Sequence, residues 1–292
     1  MKKLRFIILA TMLLGVLLPA SAQQTAEDGT VYVQSLFTYP VAPDYLDNLE
    51  ARSDWLMDNF WNDMDFKNKK GVNQAALQHA FGVYAGPMLY AKKAKVLNSV
   101  ENLCKKAEKN PTLMIQLMKA AEEEFHSQRS TVYIDEVYRI FLNKFLSNKK
   151  IKKDRKAKYA MQLAALDATE PGNNFPQGGP GVTLPAMGSR GTVVIFGNTG
   201  DDLSRQMLLR FATSVRAEQA VSSGDFEIVF IDKSVEPAME MPSYIKRVYC
   251  EKPQQSYDLP FLPDCYLLDK DGVIVMRNKS IADVLNGAGI QL

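Results

Sequence analysis

Cysteine is scarce in this chain of 292 residues: Cys104, Cys250 and Cys265 are widely separated, with no C-x-x-C and no metal-ligand spacing. That excludes a disulfide-stapled miniature fold and a zinc ribbon. It leaves open isolated buried thiols or a Cys250–Cys265 disulfide, whose geometry a sequence does not specify. Histidine is scarcer. His79 and His126 lack an H-x-x-x-H or H-E-x-x-H setting, and each reads as a surface or core residue rather than a metal ligand. No histidine follows His126 and no G-x-S-x-G elbow occurs, so a serine nucleophile in the C-terminal half has no histidine base there. Charge of one sign is also lacking, at 35 Lys and Arg against 33 Asp and Glu. A nearly neutral chain is a poor candidate for broad nucleic-acid binding, and no nucleic-acid partner is expected.

What is present begins with an address. "MKKLRF" supplies a basic start, "FIILATMLLGVLL" an apolar core and "PASA" small residues, which predicts a signal peptide over 1–22 cleaved after Ala22. The apolar core is shorter than the roughly 20 residues of a membrane span. No cysteine stands at the cleavage point to carry a lipid anchor. The expected location is therefore the periplasm, with no integral membrane segment after signal removal. Loss of Lys2, Lys3 and Arg5 leaves 32 basic and 33 acidic side chains in the mature chain, enough chain for one large domain or two ordinary ones.

The mature chain changes character twice. Residues 23–43 read as flexible or extended, ending at Pro40 and Pro43. Residues 44–170 read as an all-helical domain of five or six helices. Leu49, Trp55, Leu56, Phe60 and Trp61 recur near helical intervals, and Ile134, Val137, Ile140, Phe141 and Phe145 form a second inward face. A break is expected at "AGP" before Met88, and Asn110–Pro111 has the chemistry of a helix start. "EEEF" over 122–125 reads as a solvated face. The basic run Lys149–Lys158 reads as a turn leading into a basic helix start, or as a contact for anionic lipid or glycan. Residues 171–189 are rich in Gly and Pro and read as a linker.

Residues 190–292 have the periodicity of an α/β domain. "TVVIF" and "FEIVFID" are continuous apolar runs suited to buried strands, with one helix over "LSRQMLLRFATSVRAEQAV" crossing between them. Asp201 or Asp202 can cap that helix, a role weighed above binding a hard cation. "GNTGDD" has too few glycines for a phosphate loop, so no cofactor and no metal are expected. "MPSYIKRVYC" predicts a short helix or turn. "CYLLD" and "VIVMR" around "KDG" predict a hairpin, and "SIADVLNGAG" a closing helix.

Several stretches together resemble the thioredoxin-like envelope proteins of Bacteroidetes that carry an N-terminal helical domain of unknown function. They are "FWNDMDF" (60–66), "SQRSTVYIDEVYRIFL", "KKDRKAKYAMQLAALDATEPGNNF" and "LPFLPDCYLLDKDGVIV", spanning most of the mature chain. The resemblance implies a helical domain followed by a mixed central sheet flanked by helices. It places the two redox cysteine positions on Asp201 and Ser204, neither of which can exchange a disulfide. It makes Pro263 the proline, usually cis, beside that position. The function implied is non-catalytic, with no catalytic residue: recognition of an envelope protein or peptide along a groove formed by Asn198, Thr199, Phe261, Leu262 and Pro263. The alternative is a thiol–disulfide role through a relocated cysteine, Cys265 or Cys250.

Overall fold

The computed structural model describes residues 23–25, 31–33, 35–127, 130, 132, 134–178 and 181–290, apart from the side chains of 23–25, 31–33, 278 and 279. The signal peptide expected over 1–22 lies outside the described residues. Two short strands, β1 (Gln23–Thr25) and β2 (Val31–Val33), pair antiparallel ahead of the helices.

Six helices follow: α1 (Leu49–Asn59), α2 (Gln74–Ala85), α3 (Lys93–Ala107), α4 (Pro111–Phe125), α5 (Asp135–Ser147) and α6 (Lys153–Ala168). Local chemistry sets several of their starts. Asn48, Asn73 and Asn110 each accept a hydrogen bond from a backbone N–H in the first turn, and Pro111 opens α4 without forfeiting a donor. The expected break at Gly86–Pro87 is a single 3-10 turn, Gly86–Leu89. Phe60, Trp61, Phe81, Tyr84, Phe125 and Phe141 pack in an aromatic core with ring centroids about 5–6 Å apart. Leu49, expected inward, is instead exposed, and Met57 takes the buried place on α1. No helix among the described residues is long and apolar enough to cross a membrane.

The second half is a five-stranded sheet in the order β5-β4-β3-β6-β7. Its strands are β3 (Gly191–Gly197), β4 (Phe226–Asp232), β5 (Ile245–Tyr249), β6 (Asp264–Asp269) and β7 (Ile274–Lys279). β3, β4 and β5 run parallel; β6 and β7 run antiparallel to their neighbours. Gly272, with φ +81°, turns the β6–β7 hairpin. Helices α7 (Asp202–Ala212), α8 (Val215–Ser222) and α9 (Ile281–Gly287) complete the half.

Two expectations need correction. The helix predicted over 203–221 is two, because the Ser214 side chain accepts from Ala217 N and starts α8 afresh. The segment expected as a short helix or turn, 241–250, supplies edge strand β5. There Ile245 is buried, and the intervening Lys246 and Arg247 each find a carboxylate on β4, from Glu227 and Asp232.

The Gly/Pro-rich segment lies against the sheet. Phe175, Val182 and Leu184 are buried in the same cluster as Phe196, Tyr257 and Tyr266. Both backbone groups of Ile274, at the start of β7, are bonded to that segment: the N–H to Asn173 O and the carbonyl to Gly172 N, each at 2.8 Å.

Candidate functional site

β3 ends at Gly197 and α7 begins at Asp202, so the loop between them presents the residues on which sequence reasoning placed the missing cysteines. Asp201 is the helix cap: its Oδ1 accepts from Ser204 N at 2.8 Å, and its Oδ2 accepts from Ser204 Oγ at 3.0 Å. The Ser204 hydroxyl also accepts from Asn198 N at 3.0 Å and is fully buried. Gly197 makes that approach feasible. A Cβ there would fall 2.9 Å from Ser204 Oγ and 2.5 Å from the Phe230 ring. Asn198 Oδ1 accepts from Gly200 N and from the Ser234 hydroxyl.

Thr199 is buried, and its N–H and hydroxyl both donate to Asp232 at the end of β4, at 3.1 and 2.8 Å. Asp232 further accepts from Ser234 N and from Arg247 Nε, each bond being 2.8–2.9 Å. Burial pushes its carboxyl up, yet these donors overcome that effect and hold it below the ordinary carboxylate range. Sequence reasoning missed Asp232 and Arg247. The one signal was an aspartate closing the apolar run "FEIVFID", where an acid must have partners. The loop is thus held by bonds among Asn198, Gly200, Asp201 and Ser204 and by bonds to Asp232 and Ser234.

The Leu262–Pro263 peptide is cis, and Phe261, Leu262 and Pro263 are half-buried at the start of β6. Asp264, next in sequence, is fully buried. Its Oδ1 accepts from Cys265 N at 2.8 Å, Oδ2 has no hydrogen-bond partner among the described residues, and burial raises the carboxyl well above the usual range. None of Cys104, Cys250 and Cys265 is in a disulfide among the described residues. Burial pushes the Cys265 thiol up, the reverse of what a nucleophilic thiolate needs. Cys250 is half-buried, just after β5.

Upstream, the same loop borders a cavity of about 450 Å³ where the helical half meets the sheet half. Leu259, Pro260 and Asp258 form one wall; Glu122, His126, Lys158 and Gln162 of the helices form the other. His126 is buried, stacked on Tyr138 with ring centroids 4.4 Å apart, and its Nε2 lies 3.3 Å from Asp258 Oδ1. Burial lowers the pKa of His126; the nearby Asp258, Glu122 and Asp135 oppose this without overcoming it. Glu122, expected on a solvated face, instead accepts from Gln162 Nε2 at 2.8 Å and pairs with Lys158 at 2.5 Å.

Beneath lies Arg277 of β7, buried. Its Nη1 donates to Leu166 O at 2.8 Å and to Thr169 Oγ1 at 2.9 Å, and its Nη2 pairs with Asp135. Sequence reasoning found neither Arg277 nor Asp258. An arginine in the buried hairpin strand "VIVMRN" was the available signal. His79, the other histidine, is hydrogen-bonded to the Tyr39 hydroxyl and lies apart from this cluster. Among the described residues no three His, Cys, Asp or Glu side chains converge so as to hold a metal ion.

Comparison with known proteins agrees with this architecture. The model of the family described as "Domain of unknown function (DUF5106)" matches residues 19–168. A thioredoxin-like protein from Bacteroides caccae superposes with a TM-score of 0.67 at 14% identity, covering 88% of this chain and 99% of that one. That likeness establishes the thioredoxin-like fold and nothing further. A thioredoxin-like protein from Parabacteroides distasonis (15% identity, 41% and 96% covered) and a conserved protein of unknown function from Bacteroides fragilis (18%, 35% and 80%) each give a TM-score of 0.31, too low to bear on the fold. None of the curated proteins matches the chain.

Proposed function

Because this chain belongs to the DUF5106 family, whose description carries no activity, we propose from its own residues that it is a non-catalytic thioredoxin-like protein of the cell envelope. It holds a protein or peptide segment beside the loop that leads into β6. The observation that carries this reading is the closed loop after β3. Asp201 and Ser204 stand where a redox pair would be, and they bond to each other and to Asn198 rather than to anything beyond the loop. With no sulfur there, electron exchange has no atom to act through.

Half-buried Phe261, Leu262 and Pro263 supply apolar contact next to the cavity wall of Leu259 and Pro260, as an extended segment would use them. In this reading half-buried Asn198 borders the same groove; Thr199, tied to Asp232, contributes by fixing the loop. The reading includes export, with residues 1–22 as the signal, a helical domain over 44–170 and the thioredoxin-like domain over 190–292.

Two assays test it. Insulin reduction by the purified chain should stay at background, and turnover abolished by Cys265→Ser would replace the binding reading with a redox one. Capture from envelope extract should recover a partner that Phe261→Asp releases; the same partner set with both forms would remove the groove.

A further inference from the structure

Two clefts, of about 710 and 530 Å³, share Pro111 and Thr112, at the start of α4, the helix whose other end meets the sheet half at His126. Lys67, Lys69, Lys106 and Lys109 line the first. Lys119, Lys150, Lys152 and Arg155 line the second, where Asp154 is the single acid lining either. All eight cations are exposed. Among the described residues none of them forms an ion pair, whereas Lys92, Lys93, Lys95 and Lys158 elsewhere on the same bundle each have one. Lys106 and Lys150 reach only neutral oxygens, those of Asn62 and of the Lys109 backbone.

Lys106, in the last turn of α3, suits that helix's dipole, but the charge on α6 works against its helix. The first turn of α6 carries Lys153 and Arg155 about a single acid, Asp154, with Lys152 at its cap and no side-chain hydrogen bond capping it. Cations at a helix start oppose the helix dipole, and clustered like charges repel one another. The mature chain is balanced in charge overall, so the cluster is segregation rather than overall excess. Its cations come from four separate segments, too widely spread to enclose one phosphate. Between them lie apolar groups: Phe66, under the Lys106 ammonium at 5.5 Å, Pro111 and Ile115. A single aromatic ring without others interleaved is not the stacking track that single-stranded nucleic acid uses. Lysines whose stems rest on apolar surface with their ammonium groups outward suit the interface of a bilayer.

We propose that this end of the helical half is a peripheral docking surface for a membrane bearing anionic phospholipids. The lysines meet the headgroup phosphates, and the sheet half is held away from the membrane. The site is separate from the groove, and the two proposals stand or fall independently.

Sedimentation with phosphatidylcholine vesicles, with and without phosphatidylglycerol, tests the proposal on the mature chain at low and high salt. The chain should bind only the vesicles that carry phosphatidylglycerol, and release them in high salt. Lys67→Gln, Lys69→Gln, Lys109→Gln and Lys152→Gln combined should weaken binding by at least roughly tenfold, each lysine near an anionic surface contributing substantially. A control losing the same charge from the sheet half (Arg210→Gln, Arg216→Gln, Lys252→Gln and Lys270→Gln) should stay within about twofold of the unaltered chain, since none of those cations lines either cleft. No binding to anionic vesicles, or equal loss in both variants, overturns the proposal. Binding to heparin without binding to vesicles would assign the face to a glycan instead and overturn the lipid assignment. Circular dichroism of both variants should match the unaltered chain.

Discussion

Helices α4 and α6 run from one charged region to another, and the two regions treat charge in opposite ways. At their C-terminal ends, Arg277 is buried against Leu166 O and Asp135, while Glu122 is matched by Lys158 and Gln162. Toward their N-terminal ends, and on the segments beside them, eight cations stand in water, and among the described residues none has a paired acid. Charge that has been matched and buried joins two parts of one chain. Charge left exposed and unmatched is suited to something outside it. The first arrangement should be costly to disturb and the second nearly free.

The largest effect should come from Arg277→Ala. Removing one partner from a buried ionic cluster strands the others, which typically costs about 3–5 kcal/mol. Urea unfolding should show that loss, and a change under about 1 kcal/mol would mean the junction is not what holds the halves together. A smaller effect should appear with pH. The folded-state pKa of His126 is lowered, so its contribution to stability is complete above the unfolded value near 6.5 and declines as pH falls below it. Asp264 acts in the other sense: with a raised pKa, its contribution is complete in acid and is lost as pH rises above the unfolded carboxyl value near 4. His126→Gln should flatten the decline between pH 6.5 and 5, and Asp264→Asn should not. The smallest effect belongs to the outer end. Neutralising Lys67, Lys69, Lys109 and Lys152 should change folding stability by no more than about 0.5 kcal/mol per site, with a slight gain as repulsion is relieved. A thermal melt that fell sharply would contradict the contrast.

The sequence made some of this legible and hid the rest for physical reasons. Starts such as Asn110–Pro111 and the "KDG" hairpin are local: the residues that dictate the geometry are the ones that adopt it. The division of one expected helix into α7 and α8 turns on Ser214, whose capping role looks in sequence like an ordinary polar residue within a helical stretch. β5 was hidden because two of its five side chains are charged and their carboxylate partners lie on another strand. The cap at Asp201 could be anticipated from its place before an apolar stripe. The junction could not. Arg277 and Asp135 are 142 positions apart, and neither sits in a motif. Glu122 looked like one of three acids on a wet helix until α6 was packed beside it.

The hydrogen bonds that Ile274 shares with Gly172 and Asn173 bear on how the molecule behaves at high concentration. An uncovered β7 would be a ready template for a strand from another copy, and those bonds close it where it begins. At the far margin β5 is only five residues long and carries Lys246 and Arg247, so it offers little flat apolar length to grow upon. Both margins of the sheet are blunted, and stacking of copies into fibres has no easy starting point.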